Sequence, residues 1–386
     1  MTDRRDEEAP SGLYLHVPFC DGKCPYCAFY SVPYEEAQAR RWLTAVQREY
    51  ALFLAEGGPV QWRTLYIGGG TPSLLSEAIL NALLEWVHDV TQGGSVVEWS
   101  VEANPGSVTP AKLRAMRQAG VNRLSLGVQS LDDARLRWLG RRHTAAEAEE
   151  AYAMARNEGF SNVGVDLIAG GPLCGRDRWA RTLERVITWS PEHLSVYALT
   201  VEEGSALVRR RGQGTRRGWG EGALVARLHE AAERLAQAGY ERYEISNYAR
   251  PGMSCRHHIA CWRGERYLGL GPAASSHVGM RRWTTVADLE DYLRRLEAGQ
   301  PPARSVEELT AETKATERLI FGLRMTAGVD LREAAAGEGA EARIARWCAV
   351  LNRLARRGLV EGGPDRWRLT ARGLDFADAV AVELLP

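Results

Sequence analysis

Between Leu13 and about Thr200, six short β-rich runs alternate with longer stretches of helical periodicity, and that rhythm leaves few folds open. Successive βα units build a parallel sheet with helices packed outside it. The runs are Leu13–Pro18, Thr64–Gly68, Glu98–Glu102, Asn122–Val128, Asn162–Ile168 and His193–Leu199. Helical patterns over 35–55 and 110–119 lie between them, the second opened by Thr109 as N-cap and Pro110 at the first helical position. The class is α/β, and six such units can close toward a barrel.

The unusual residues fall just after the strand ends. The first run leads into a cysteine loop, the second into Gly68-Gly69-Gly70-Thr71-Pro72, and the third into Glu102-Ala103-Asn104-Pro105. The fourth ends at Gly127-Val128-Gln129-Ser130, the fifth carries Asp166 and leads into Gly170-Gly171-Pro172, and the sixth leads to Thr200 and Glu202. In a barrel of parallel strands all six loops converge on one rim, where such folds place their chemistry. Gly, Pro, Asn and Thr are also what ordinary βα turns require, which explains any one loop taken alone.

The cysteine loop is Cys20-Asp21-Gly22-Lys23-Cys24-Pro25-Tyr26-Cys27. Three thiolates can hold three irons of a cubane, whereas an all-cysteine cluster needs a fourth, and the next cysteine in the chain is Cys174. The fourth iron is then free to take a small molecule. Two other readings compete. Structural zinc needs four grouped ligands, for which His16 is the only other nearby candidate. A dithiol redox motif at Cys24 and Cys27 leaves Cys20 unexplained.

Composition bears on the setting. Lys plus Arg and Asp plus Glu balance at 49 each, so no global field favours nucleic acid or anionic lipid. There is no signal-like apolar start and no run of transmembrane length. Seven cysteines without a leader fit a reducing compartment, and a cytoplasmic location is expected.

After Thr200 the alternation fades into a basic run, Arg209–Arg217, a helical pattern over 223–238, and two dense stretches. These are Tyr243-Glu244-Ile245-Ser246-Asn247-Tyr248 and Cys255-Arg256-His257-His258-Ile259-Ala260-Cys261-Trp262. A linker near Gln300-Pro301-Pro302 suggests two parts, 1–300 and 305–386. The second reads as helices over 313–325 and 342–357, then a hairpin around Gly362-Gly363-Pro364-Asp365, a winged-helix-like order. Arg353, Arg356 and Arg357 could meet phosphate or simply form a solvated helix end. No wider basic stripe accompanies them, so there is no strong nucleic-acid signal.

Read together, these segments carry a resemblance. Tyr14-Leu15-His16-Val17-Pro18-Phe19-Cys20 with Cys24 and Cys27, then Gly68 to Pro72, Glu102 to Pro105, Leu126 to Ser130 and Asp166 to Pro172, resemble one group of proteins. They are the radical S-adenosylmethionine (SAM) family of oxygen-independent coproporphyrinogen III oxidases and their HemW-type relatives. The likeness covers nearly the whole chain. It implies a partial (β/α)6 TIM-like radical SAM barrel with a C-terminal winged-helix-like module. It further implies a [4Fe–4S] cluster on Cys20, Cys24 and Cys27, with SAM chelating the open iron. Tyr14, Gly69, Gly70, Thr71 and Glu102 would contact that SAM. Tyr26, Gln129, Arg141, Asp166 and Thr200 match positions that in the oxidase hold a second SAM. Asp166 could instead be a buried carboxylate paired with Arg141.

Two departures separate the chain from the oxidases. They carry a further cysteine two residues after the third, where this chain has Phe29, and an N-terminal extension, whereas here the cluster motif begins at residue 20. Both point to the HemW-type haem chaperones, which carry a His-Asn-x-x-Tyr-Trp motif associated with haem. Here the corresponding residues are His257, His258, Cys261 and Trp262, with imidazole and thiolate both competent axial ligands. The implied function is haem binding, with haem as cargo, and transfer to respiratory haemoproteins. An electron donor such as flavodoxin or ferredoxin is implied, and peripheral membrane contact is compatible. Coproporphyrinogen oxidation and radical methylation are the competing activities.

Overall fold

In the computed structural model, which describes residues 11–58, 60–91, 96–201, 205–208, 220–363 and 366–385, the six expected strands form. They are β1 (Gly12–Val17), β2 (Thr64–Gly69), β3 (Glu98–Ala103), β4 (Arg123–Gln129), β5 (Val163–Ala169) and β6 (His193–Ala198). They pair in sequence order and all parallel. Helices α1 (Glu36–Gly57), α2 (Glu77–Val90), α3 (Pro110–Ala119), α4 (Ala145–Asn157) and α5 (Arg176–Trp189) separate them, and α6 (Glu221–Gln237) follows β6. The start of α3 is as the sequence predicts: Thr109 Oγ1 accepts the Lys112 N–H at 3.2 Å, with Pro110 in the first turn. A capping box between Thr144 and Glu147 opens α4.

Because side chains alternate along a strand, each strand has two characters. One face carries Leu65 and Ile67, Trp99 and Val101, Leu124 and Leu126, Val165 and Leu167, Leu194 and Val196, all buried in the main core against the helices. The opposite face carries Tyr14, Tyr66, Ser100 and Glu102, Arg123 and Ser125, Asp166, Ser195 and Tyr197. The register sets Tyr14 beside Tyr66, Tyr66 beside Ser100, and Asp166 beside Ser195. The barrel interior is therefore lined with polar groups, which suits a ligand cavity.

The sheet extends beyond the six expected strands. On the β6 edge lie β7 (Glu241–Arg242) and β8 (Asn247–Ala249), antiparallel. On the β1 edge β9 (Tyr267–Leu270) adds parallel, followed by an antiparallel meander of β10 (Ser275–Val278), β11 (Arg281–Thr285) and β12 (Arg304–Glu308). Among the described residues the sheet has twelve strands. These additions are two to five residues long and mostly antiparallel, so they give no βα rhythm.

Helix α7 (Arg256–Trp262) crosses beneath the N-terminal ends of β2 and β3, and α8 (Leu289–Glu297) packs on α1. The C-terminal part contains α9 (Ala311–Arg324), α10 (Leu331–Ala335) and α11 (Ala340–Arg356). A three-stranded antiparallel sheet accompanies them: β13 (Val329–Asp330), β14 (Val360–Gly362) and β15 (Arg366–Leu369), with β15 central. Leu319, Trp347, Leu351 and Trp367 belong to its own core. Strand β12 stays with the large sheet, so that sheet runs to Glu308. Arg353 and Arg357 both pair with Glu383, which makes them an intramolecular cluster. Glu202, Arg209–Arg217 and the hairpin residues Pro364 and Asp365 lie outside the described residues. Among the described residues no helix is long and apolar enough to cross a membrane.

Candidate functional site

The C-terminal ends of the six strands bring the cysteine loop and the glycine-rich turn together. Phe19–Cys20 pairs with Val32–Pro33 and closes the loop at its base. Inside it the Cys27 N–H donates to Cys24 O at 3.0 Å, and Lys23 Nζ donates to Phe29 O. Cys20 Sγ lies 3.6 Å from Thr71 Oγ1, while Cys24 Sγ lies 3.8 Å from both Gly140 O and Arg141 Nη1. The loop thus touches the end of β2 on one side and the segment before α4 on the other. All three thiols are free and partly exposed, whereas Cys174 is buried in the main core. Among the described residues no three His, Cys, Asp or Glu side chains converge tightly enough for a single metal ion. A cubane places each thiolate on a different iron, so a loop of spread thiols suits it.

Behind the loop the glycines leave no room for side chains. A Cβ on Gly70 would stand 2.4 Å from Phe19 O, and one on Gly69, at φ 107°, would stand 2.6 Å from the His16 ring. Thr71 N–H donates to Phe19 O at 2.8 Å, fastening the glycine turn to the loop. Glu102 accepts from Tyr66 Oη at 2.8 Å and from the Gly69 N–H at 3.1 Å. Burial, then the charge of Asp166, raises its carboxyl pKa to about 7. Tyr14 Oη meets His16 Nδ1 at 2.9 Å, and His16 Nε2 reaches Tyr30 O at 3.0 Å.

The remaining expected residues ring the same mouth. Gln129 sits at a bulge with φ 65°, and its buried Oε1 has no partner. An orphaned acceptor next to a polar lumen is what a site short of its ligand leaves behind. Arg141 donates to Asn104 Oδ1 at 2.8 Å and Gly127 O at 2.9 Å. Tyr26 lies against Cys24 and Arg141, its pKa raised chiefly by burial. Ser125 Oγ donates to Asp166 at 3.3 Å, and burial pushes that carboxyl up. The alternative of an Asp166–Arg141 ion pair is not realised, because Asn104 and the Gly127 carbonyl take the guanidinium. Thr200 is exposed just beyond β6.

The three haem candidates stand at the opposite end of the barrel. Glu98, at the start of β3, accepts the N–H groups of Arg256 at 2.8 Å and His257 at 3.0 Å, and the Cys255 thiol at 3.3 Å. A carboxylate there complements the positive end of α7. His257 is buried, bonded through Nδ1 to Thr64 Oγ1 at 2.9 Å and stacked on Tyr66 at 5.4 Å. Burial lowers its pKa to about 4. The His258 ring lies 5.0 Å from that of Tyr66, and burial followed by Arg123 lowers its pKa to about 3. Cys261 faces away, into a small pocket with Tyr267 and His277. Strands of six to seven residues at about 3.3 Å each put the two ends roughly 20 Å apart. Sequence reasoning missed Tyr66, Arg123, Ser195 and Tyr197 as lumen groups; their period-two spacing within the strand runs was the available signal.

The comparisons agree with this arrangement. The description "Radical SAM superfamily" matches residues 14–186, and "HemN C-terminal domain" matches 309–376. A protein named heme chaperone HemW from Mycobacterium tuberculosis is 38% identical, over 97% of this chain and 95% of its own length. Its namesake from Bacillus subtilis is 32% identical, over 93% and 95%. The solved structure of coproporphyrinogen III oxidase (HemN) from Escherichia coli, at 24% identity, superposes with a TM-score of 0.85 over 98% of this chain and 91% of that one, which shows a shared fold. The chain therefore belongs to the radical SAM superfamily and, within it, to the HemW family.

Proposed function

We propose that this protein is a haem chaperone: it binds haem and passes it to haemoproteins of respiration, while a [4Fe–4S] cluster and SAM occupy the C-terminal mouth of its barrel. The observation that carries this reading is the near full-length match to relatives named heme chaperone HemW. Exposed Phe29 stands where the oxidases carry a further cysteine, which favours the same side.

Cys20, Cys24 and Cys27 would hold the cluster and leave one iron for SAM. Bound there, the pair supplies an electron and a reductively cleavable sulfonium. The chain's own residues do the rest. Gly69, Gly70 and Thr71 let the ligand approach the backbone, Glu102 and Tyr14 present a carboxyl and a phenol to its polar end, and the orphaned Gln129 Oε1 offers an acceptor. Tyr26, Arg141, Asp166 and Thr200 extend the polar ring, enough for further SAM contacts. Helix α7 would contribute to the haem site, with His257, His258 and Cys261 as its candidate ligands; His257 must first leave Thr64. The reading includes a one-electron donor, a haemoprotein acceptor and a cytoplasmic location, supported by free cysteines throughout. We also read 1–300 and 305–386 as two units, supported by their separate hydrophobic clusters, with 305–308 paired into the first unit's sheet as part of β12.

Anaerobic reconstitution tests it. Four irons per chain, an EPR signal altered by SAM and a stoichiometric Soret shift on haem titration are expected. Absence of any Soret change, or turnover of coproporphyrinogen to protoporphyrinogen, would sink the reading.

A further inference from the structure

Beneath the barrel floor, a groove of about 2120 Å³ runs between the N-terminal strand ends, the β10–β12 meander and the C-terminal module. Pockets for small molecules measure roughly 300–1,000 Å³, so this groove has the size of a seat for polypeptide. Seven cationic and four acidic side chains line it, so its lining is net positive. Two of the acids are already committed: Glu308 pairs with Arg281, and Asp330 caps α10 through the N–H groups of Arg332 and Glu333. Among the described residues Arg63, Arg263, Arg266 and Arg318 have no acidic partner within salt-bridge distance.

These cations come from separate elements. Arg63 immediately precedes β2, Arg263 and Arg266 lie between α7 and β9, and Lys314 and Arg318 stand one turn apart on α9. Like charges at that spacing repel and cost a helix stability. Lys314 donates to a neutral acceptor, Gly279 O, at 2.6 Å, and burial, then Arg318 and Arg266, lowers its pKa. A cleft focuses such a field and draws anions into it. Between the cations the lining is apolar, with Val278, Met280, Met325 and Val329, and Met280 is 40% exposed. The groove therefore suits an occupant that is both acidic and partly apolar.

We infer that this groove is the docking seat for an acidic segment of a partner protein, its carboxylates on Arg63, Arg266, Arg318 and Lys314 and its apolar side chains against Met280 and Val329. The inference rests on the haem-chaperone reading and deepens it, since the partner it names is the haemoprotein that receives the cargo. Helix α7, which carries His257 and His258, runs directly into Arg263 and Arg266. A partner seated here lies beside those haem candidates. Guanidinium–carboxylate pairs fix its register, and the positive field speeds encounter. A lipid surface is flat and meets a recessed groove poorly, and a nucleic acid strand, charged along its whole length, would also meet the four acids.

The test is fluorescence anisotropy of a labelled glutamate–leucine–glycine peptide with the whole reconstituted protein, run beside its lysine counterpart, heparin and phosphatidylserine vesicles. Saturable binding of the acidic peptide at low salt is expected, weakening as salt rises, with none by the lysine peptide. Arg63→Glu, Arg266→Glu and Arg318→Glu together should weaken it about tenfold or more, whereas the triple lysine variant should keep most of the affinity. Haem affinity should be unchanged in both. The cluster EPR signal, from the other end of the barrel, reports that each variant is folded; if the triple glutamate variant fails that control, the triple glutamine variant decides. Wild-type peptide affinity in the variants would overturn the inference. So would tighter binding of heparin or vesicles than of the peptide, which would give the groove to nucleic acid or lipid. Peptide binding that appears only after Asp6, Glu7 and Glu8 are replaced by amides would give it to the chain's own start and overturn the partner. Haem binding without peptide binding would overturn the groove alone; peptide binding without a Soret shift would overturn the chaperone reading and leave an acidic-partner groove standing.

Discussion

At Glu102 a carboxyl group lies inside the lumen with a phenol and one backbone N–H as its donors, and its folded pKa of about 7 stands above the ordinary 4.5. Between those values the folded state keeps a proton that the unfolded chain has released, so stability falls as pH rises through that window. Across the whole window the change amounts to about 3 kcal/mol. In cluster-free protein, the Glu102→Gln variant should lose this part of the pH dependence, as seen by comparing urea midpoints from pH 4.5 to 7.5; parallel curves would refute the assignment. Gly70 gives a second residue-level prediction. Its added Cβ would press on the Phe19 carbonyl, at the root of the cysteine loop, and backbone cannot step aside as a side chain can. Gly70→Ala should cost about 1–3 kcal/mol in the loop's geometry and show as reduced iron content after reconstitution, with far-UV circular dichroism unchanged.

Among elements, α7 is the one whose position the sequence concealed. Its histidines, cysteine and tryptophan announce a function, but nothing local says that the helix lies under the barrel instead of at its mouth. The docking depends on Glu98, 159 residues earlier, which looks in sequence like an ordinary strand residue. Removing that carboxylate leaves two N–H groups and a thiol without their acceptor, so Glu98→Ala should destabilise the fold by about 3 kcal/mol. Thermal melting should show this, together with faster hydrogen exchange at 256–258; an unchanged melt would mean that another group holds the helix. The six parallel strands, in contrast, were legible because each is a bounded apolar run followed by a helix. The edge strands were not, since two- to five-residue pieces are defined by pairing to a neighbour and leave little periodicity of their own.

At the scale of the whole molecule the cysteine loop and helix α7 stand at the two ends of one barrel, and the polar lumen joins them. With roughly 20 Å between the ends, SAM and haem should bind together. Equilibrium dialysis of labelled SAM should give the same dissociation constant, within about twofold, with and without saturating haem. Mutual exclusion would mean that both occupy the mouth. The cysteine motif and glycine turn made the mouth visible in sequence because its residues come in contiguous runs; the floor stayed hidden because Thr64 and Glu98, which hold α7 there, are more than 150 residues from it in sequence. Strand β3 spans the distance by itself, with Glu98 at one end, Glu102 near the other and Ser100 between them on the same side. A slip of one residue in its pairing would turn all three outward at once. The strand is thus a common point of failure, and an inherited insertion there would disable both ends of the protein in a single event.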